Sequence, residues 1–285
     1  MIDLAAMGEW TAIVLAGRRP GEDGFAAAHG VTAKALIRAG GEPMLGRVAR
    51  TLLATPSIGR IVVLAQEADA LLTGDLAWMA DEPRIATAQA GDGISASVGR
   101  LAGTDAAPWP VLITTADHPL LRPEMVETFI AGAAGADSAF AMVERSIVER
   151  AHPDTRRTWL KAADGHYSGA NLFALMTPAS KTGTDFWARA EKDRKRTFKL
   201  LTFLGPGIFL RAVTRTISLQ DAAERTGRKM GLRLKAVPLP FAEAAIDVDK
   251  PADLELVERI LAARAGSPAA AAAPAAAAAG RAAAP

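Results

Sequence analysis

The chain has 285 residues, half of them hydrophobic and 22% charged, which supplies apolar material for a continuous core and enough charge for a soluble surface. A formal net charge of only +2 lacks the broad basic footprint that nucleic-acid binding demands, and the absence of cysteine excludes disulfide frameworks, cysteine-ligated zinc and thiolate nucleophiles. The opening MIDLAAMGEW has neither the basic nor the apolar region of a signal peptide, and no apolar run is long enough to span a bilayer, so a cytoplasmic location is expected.

Thr11–Ala16 is a short apolar run halted by Gly17, the pattern of a buried parallel strand feeding a loop. The loop, Gly17–Ala33, is rich in Gly, charge and small residues, and a helix is expected from about Pro43 to Leu53. Arg60–Leu64, Arg84–Ala88, Val111–Thr115 and Ser138–Val143 read as further buried strands, separated by helix-compatible segments around Leu71, Ser97 and Val126. This alternation predicts an α/β fold, a mostly parallel sheet with helices on both faces and ligands at the carboxyl ends of its strands.

Beyond Glu144 the rhythm changes. Thr158–Ala162 and Tyr167–Leu175 predict strands flanking a tight turn at Asp164-Gly165, and a helix is expected over Thr184–Arg189. A basic, apolar stretch follows from Lys192 to Arg215, and Ser218-Leu219-Gln220-Asp221 resembles a variant capping box opening another helix. Leu232–Pro238 and Ala244–Val248 return to strand character, and Pro251 occupies the first turn of a closing helix through about Ala263. One domain is expected over residues 1–265. The remainder, 266–285, is almost all Ala and Pro, too poor in large apolar groups to offset the entropy of ordering, so a disordered tail is expected.

Several of these segments carry an ordered constellation. Ile13-Val14-Leu15-Ala16-Gly17-Arg18-Arg19, then Lys34-Ala35-Leu36, then Gly41-Glu42-Pro43-Met44-Leu45 resembles the signature of MobA-like and IspD-like nucleotidyltransferases. Thr115-Ala116-Asp117-His118-Pro119-Leu120 resembles the metal-binding Asp motif of that family, and Ile246-Asp247-Val248-Asp249-Lys250-Pro251-Ala252-Asp253-Leu254 its carboxyl-terminal Asp motif. Residues 144–233 match loosely, through Gly169-Ala170-Asn171-Leu172-Phe173, and are taken as a helical and hairpin region on the acceptor side. The resemblance implies a GT-A-like, three-layer α/β/α fold with a Rossmann-like nucleotide-binding half. It also implies transfer of a nucleoside monophosphate from an NTP to a phosphorylated acceptor, small or lipid-linked, with release of pyrophosphate.

That chemistry sets requirements the residues can be tested against. Two anions must be brought in line, so positive charge is needed at the phosphates. Leu15, Ala16 and Gly17 present small, closely approachable backbone, and Arg18, Arg19 and Lys34 add charge, with Lys34 the leading contact to the transferring phosphate and Arg18 beside it. A hard cation, Mg²⁺ with Mn²⁺ as substitute, suits a site of one or two carboxylates plus substrate oxygens and water. Asp117 is the first ligand expected. Of Asp247 and Asp249, Asp249 is preferred as the second ligand, with Asp247 as its substitute. A capping role for Asp249 stays open beside this one.

Gly91, Gly93, Ser95 and Ser97 correspond in order to the base and ribose region of the family, without choosing among CTP, GTP and UTP, CTP being slightly favoured. Gly169, Ala170 and Asn171 are the expected acceptor contacts. His118 receives no catalytic role, because attack by an ionised phosphate needs no general base. Two other functions compete: a GT-A glycosyltransferase, since Asp247-Val248-Asp249 matches an Asp-x-Asp metal motif, and a nucleotide-binding module without turnover. The stretch Lys192–Arg215 is expected to form buried helices, and its basic, apolar character also fits peripheral contact with an anionic membrane.

Overall fold

A computed structural model describes residues 10–18, 24–91, 93–192, 210–211 and 214–266. The apolar runs become strands of one eight-stranded sheet. β1 (Trp10–Leu15) lies at its centre, buried from Trp10 to Val14 and paired in parallel with β4 (Ile58–Ala65) on one side and β6 (Val111–Thr115) on the other. β5 (Ile85–Gln89) continues beyond β4. On the other flank stand β9 (Gly165–Leu175), β7 (Ser138–Glu144) and β10 (Leu234–Pro238), giving the order β10-β7-β9-β6-β1-β4-β5, while β8 (Leu160–Ala162) pairs with β9. β9 runs antiparallel to β6, β7 and β8, and the other pairings are parallel.

The chain leaves β1 toward β4 and β5 and returns to β6 on the opposite side. The strand order therefore reverses between β1 and β6, the position at which open α/β sheets bind ligands. Alternate side chains of β1 serve two cores. Trp10, Ala12 and Val14 pack with α2 (Met44–Leu53) and α5 (Pro123–Ala133), while Ile13 joins Leu64, Val111, Ile113 and Val98 of α4 (Ile94–Leu101). Burying such a branched side chain contributes roughly 1.5–3 kcal/mol, so the layers are held by the same apolar runs that define the strands. α2 turns Met44, Leu45, Val48, Ala49 and Leu52 inward, the spacing of a helix with one buried face.

A small third core bears on the site. Ile37, Leu120, Ile246 and Val248 are almost wholly buried together with Val257 and Leu261 of the closing helix (Pro251–Ala265). A hairpin of β2 (Arg38–Ala39) and β3 (Glu42–Pro43) supports this cluster, turning through Gly40 and Gly41 at φ 60° and 80°. Paired left-handed residues are what a two-residue hairpin of this hand requires. A side chain on Gly40 would also meet Leu261 Cδ1 at 2.9 Å.

Three expectations need correction. Ala244–Val248 is not a strand: Ala242–Ala245 form a 3-10 turn and the chain then runs irregularly, because Ile246 and Val248 bury in the third core instead of pairing with a sheet edge. The segment read as a loop from Gly17 to Ala33 contains α1 (Gly24–Ala28). The helix placed at Thr184–Arg189 extends over Ser180–Lys192. The capping reading at Ser218 holds in part, since its side chain accepts the Asp221 N–H at 3.1 Å at the start of the helix Leu219–Met230.

Most of Lys192–Arg215, with its candidate membrane contact, lies outside the described residues, as does the tail beyond residue 266. Among the described residues no helix is long and apolar enough to cross a membrane.

Candidate functional site

The third core brings three chain segments to one point. Lys34 opens a single 3-10 turn, Lys34–Leu36, that leads into buried Ile37. Asp117 follows β6 and leads into buried Leu120. Asp249 follows Val248, whose N–H donates to the Asp117 carbonyl at 2.9 Å. The Lys34 ammonium lies 2.5 Å from Asp117 Oδ2 and 2.7 Å from Asp249 Oδ1. Burial works to lower the pKa of Lys34, but the two carboxylates outweigh it and hold the value above that of an ordinary lysine, so the group stays charged.

Asp117 is only 16% exposed, and its second oxygen, Oδ1, is buried without a hydrogen-bond partner among the described residues. Leaving such an oxygen unsatisfied costs about 1–3 kcal/mol, so stability alone does not account for it. Two carboxylates reaching one nitrogen position, one with a spare buried oxygen and all donors oxygen, fit a hard divalent cation that keeps water and substrate oxygens in its shell.

The loop after β1 adjoins this centre. Ala16 continues the sheet ladder through Leu64 O, and Gly17 packs against Gln66, whose Oε1 would lie 2.9 Å from a β-carbon at that position. Gln66 clamps the loop in both directions, accepting the Arg18 N–H at 2.8 Å and donating to the Arg18 carbonyl at 2.9 Å. The Arg18 side chain pairs with Glu67 at 3.1 Å and reaches Thr32 O at 3.4 Å, just before Lys34. Leu15 ends β1 half-buried, and Arg19 lies outside the described residues. Neither Gln66 nor Glu67 was singled out from sequence, since an isolated Gln-Glu after a strand carries no motif.

The segment after β5 folds on itself. Gly91 N–H donates to Ser97 Oγ at 2.9 Å, and Ser97 Oγ donates to Gly93 O at 2.8 Å. Gly93 takes φ 110°, a conformation that favours glycine, at the start of α4, and Ser95 is buried in the first turn. Gln89 donates to the Gln66 carbonyl, so this segment and the loop after β1 share one anchor.

On the other side of the centre β9 bulges. Phe140 pairs with Phe173 and Met142 with Gly169, so β9 carries extra residues through Ala170 and Asn171. Gly169 is exposed with open space about it, Ala170 is buried, and Asn171 adopts φ 48° and donates to Asp247 Oδ2 at 3.0 Å. Asp247 Oδ1 receives Arg157 at 2.5 Å. The structure thus brings Lys34, Asp117 and Asp249 together and turns Asp247 toward Arg157 and Asn171. Arg157 was not foreseen, because its partners lie far along the chain and Arg156-Arg157 matches no motif. His118 is fully buried beside Asp117, and burial depresses its pKa, which disfavours its charged form.

Comparison with known proteins gives a consistent result. The model of the MobA-like NTP transferase domain matches residues 12–178, from β1 to the end of β9. A solved hypothetical transferase from Thermus thermophilus superposes with a TM-score of 0.73 at 27% identity, over 86% of this chain and 99% of that one. The 4-diphosphocytidyl-2C-methyl-D-erythritol synthase of Anaerococcus prevotii gives 0.53 at 13%, over 89% and 98%. A CMP:2-keto-3-deoxy-manno-octonic acid synthetase complexed with CTP gives 0.51 at 15%, over 91% and 100%. These last two share the fold. No curated protein matches the chain.

Proposed function

The chain belongs to the MobA-like NTP transferase family, and from that premise we propose that it transfers a nucleoside monophosphate from an NTP to a phosphorylated acceptor. The observation that carries the reading is the meeting of Lys34, Asp117 and Asp249 at the switch point of the sheet, with a buried Asp117 oxygen left over.

In this reading an acceptor phosphate oxygen attacks the α-phosphorus, the bond from that phosphorus to the bridging oxygen breaks, and pyrophosphate leaves with the electron pair. No proton has to be removed, which leaves buried His118 without a catalytic task. Lys34 offers a fixed positive charge to the transferring phosphate, and Arg18 with the Gln66-clamped backbone borders the triphosphate. Asp117 and Asp249 would hold Mg²⁺, or Mn²⁺ in its place, and the bound cation would draw charge from the phosphate oxygens and orient them. The Gly91–Ser97 segment would meet the base and ribose, and Gly169, Ala170 and Asn171 the acceptor.

Two solved structures of this fold carry cytidine nucleotides in their names, which supports CTP as the first donor to test. The glycosyltransferase reading requires Asp247 to join Asp249 on one metal, whereas both Asp247 carboxylate oxygens are engaged, by Arg157 and Asn171.

The test is thermal stabilisation by ATP, GTP, CTP and UTP with and without Mg²⁺, followed by pyrophosphate release with a panel of phosphorylated acceptors. A magnesium-dependent shift with one NTP, and pyrophosphate with one acceptor, is the expected result. Release of a nucleoside diphosphate from a nucleotide sugar would favour the glycosyltransferase. NTP binding without turnover across the panel would favour a binding module.

A further inference from the structure

The carboxyl-terminal motif holds three aspartates within seven residues, and the structure pairs two of them, Asp247 and Asp253, with Arg157 and the third, Asp249, with Lys34. Arg157 accounts for that sorting. Its side chain is 8% exposed, and one guanidinium arm donates to Asp247 Oδ1 at 2.5 Å, while the other reaches the Asp247 carbonyl at 3.3 Å and Asp253 Oδ1 at 3.4 Å. Asp253, itself buried, accepts the Asp249 N–H on Oδ2 at 3.1 Å. Asn171 takes the remaining Asp247 oxygen. Asp249 is thereby left facing Lys34.

We infer that Arg157 is a positioning residue that selects Asp249 over Asp247 for the transfer centre. The inference rests on the proposed reading of Asp117 and Asp249 as the carboxylates that hold a divalent cation. A regular strand would put Asp247 and Asp249 on one face, and residues 246–250 form none, so side-chain contacts can decide which carboxylate turns inward. Arg157 decides it at both ends of the motif, engaging Asp247 directly and holding the Asp249 backbone through Asp253. A planar guanidinium spans both carboxylates at once, and a lysine ammonium, a single point on a flexible stem, does not fix the same geometry. The bulge at Asn171 is joined to the same network, so the proposed acceptor contacts and the transfer centre share one buried support.

The experiment titrates Mn²⁺ into the full chain with ATP, GTP, CTP or UTP in turn and follows the protein-bound complex by water-proton relaxation. Wild type, Asp249→Asn, Arg157→Lys and Asp247→Asn are compared below their thermal midpoints, which are measured alongside. Asp249→Asn is expected to remove tight binding. Arg157→Lys is expected to weaken it by about 10–100-fold, the range for groups that orient a metal ligand. Asp247→Asn, which keeps an oxygen for Arg157, should weaken it by less than about tenfold. A purely structural role for Arg157 would lower the midpoint and leave Mn²⁺ affinity unchanged, and that result overturns the inference. An Asp247→Asn defect as deep as that of Asp249→Asn would overturn it too, by making Asp247 a ligand, and this arm stands even if Arg157→Lys does not fold. No bound complex in wild type, or none of the expected loss in Asp249→Asn, would instead sink the reading of the carboxylate pair and the inference with it.

Discussion

Asp117 and Asp137 are both aspartates at the ends of sheet strands, both mostly buried, and they are treated in opposite ways. Every group of Asp137 is used. Its Oδ2 accepts the Arg233 backbone N–H at 2.8 Å and Nε at 3.1 Å, and its Oδ1 accepts Arg233 Nη2 and the Thr177 hydroxyl, each at 3.0 Å. Its own N–H donates to Arg233 O at 2.9 Å, and its carbonyl receives the Met176 N–H and the Ser180 hydroxyl. The starts of β7 and β10 and the end of β9 are tied together there. Asp117 has one oxygen on Lys34 and the other buried without a partner among the described residues. A carboxylate saturated by its own chain supports the fold. One kept unsaturated, next to a charge it shares with Asp249, fits the proposed role of holding a cation.

The sharpest way to break this contrast is to neutralise Asp117. Asp117→Asn keeps the shape and removes the charge, so pyrophosphate release should fall by about 10²–10³-fold, the scale of losing one preorganised electrostatic group. The thermal midpoint should move by no more than about 2 °C. Steady-state assay beside a melting curve checks both, and normal turnover would remove Asp117 from the centre. Lys34→Ala ranks next. If its charge acts on the transferring phosphate, kcat falls further than the acceptor KM rises. A change confined to KM would make Lys34 an acceptor contact instead.

The parallel strands were legible because each is a short apolar run bounded by turn residues, and a run buried on both faces announces itself without partners. β9 was visible too, but its bulge was not, since nothing in Gly169-Ala170-Asn171 states which neighbour the strand loses at that point. Ile246-Asp247-Val248-Asp249 misled for a physical reason. Its alternation is that of a half-buried strand, yet Ile246 and Val248 enter a local core and the Val248 N–H goes to a loop carbonyl. Lys34, Asp117 and Asp249 could be named because each sits at a fixed offset in a motif. Arg157 could not, since its value depends on Asp247, ninety positions away.

The smallest expected effect belongs to Asp137, and it falls on stability alone. Asp137→Asn should lower the thermal midpoint by about 5 °C while leaving the rate per folded molecule unchanged, because no group of the transfer centre touches it. Its pH dependence sharpens the contrast further. Hydrogen bonds from the Arg233 side chain, then from its backbone N–H, hold the Asp137 carboxyl far below the ordinary carboxylate range, against a smaller opposing push from burial. The unfolded chain, with an ordinary value of about 3.9, therefore takes up this proton at a higher pH than the folded protein does. The stabilisation is thus complete above the ordinary value and is lost as pH falls from there toward the depressed one. Asp137→Asn has no such titration. Urea midpoints of wild type and variant should differ by a constant amount between about pH 5 and 8 and converge below about pH 4. A gap that persists undiminished at low pH would mean that shape, not charge, makes Asp137 the structural member of the pair.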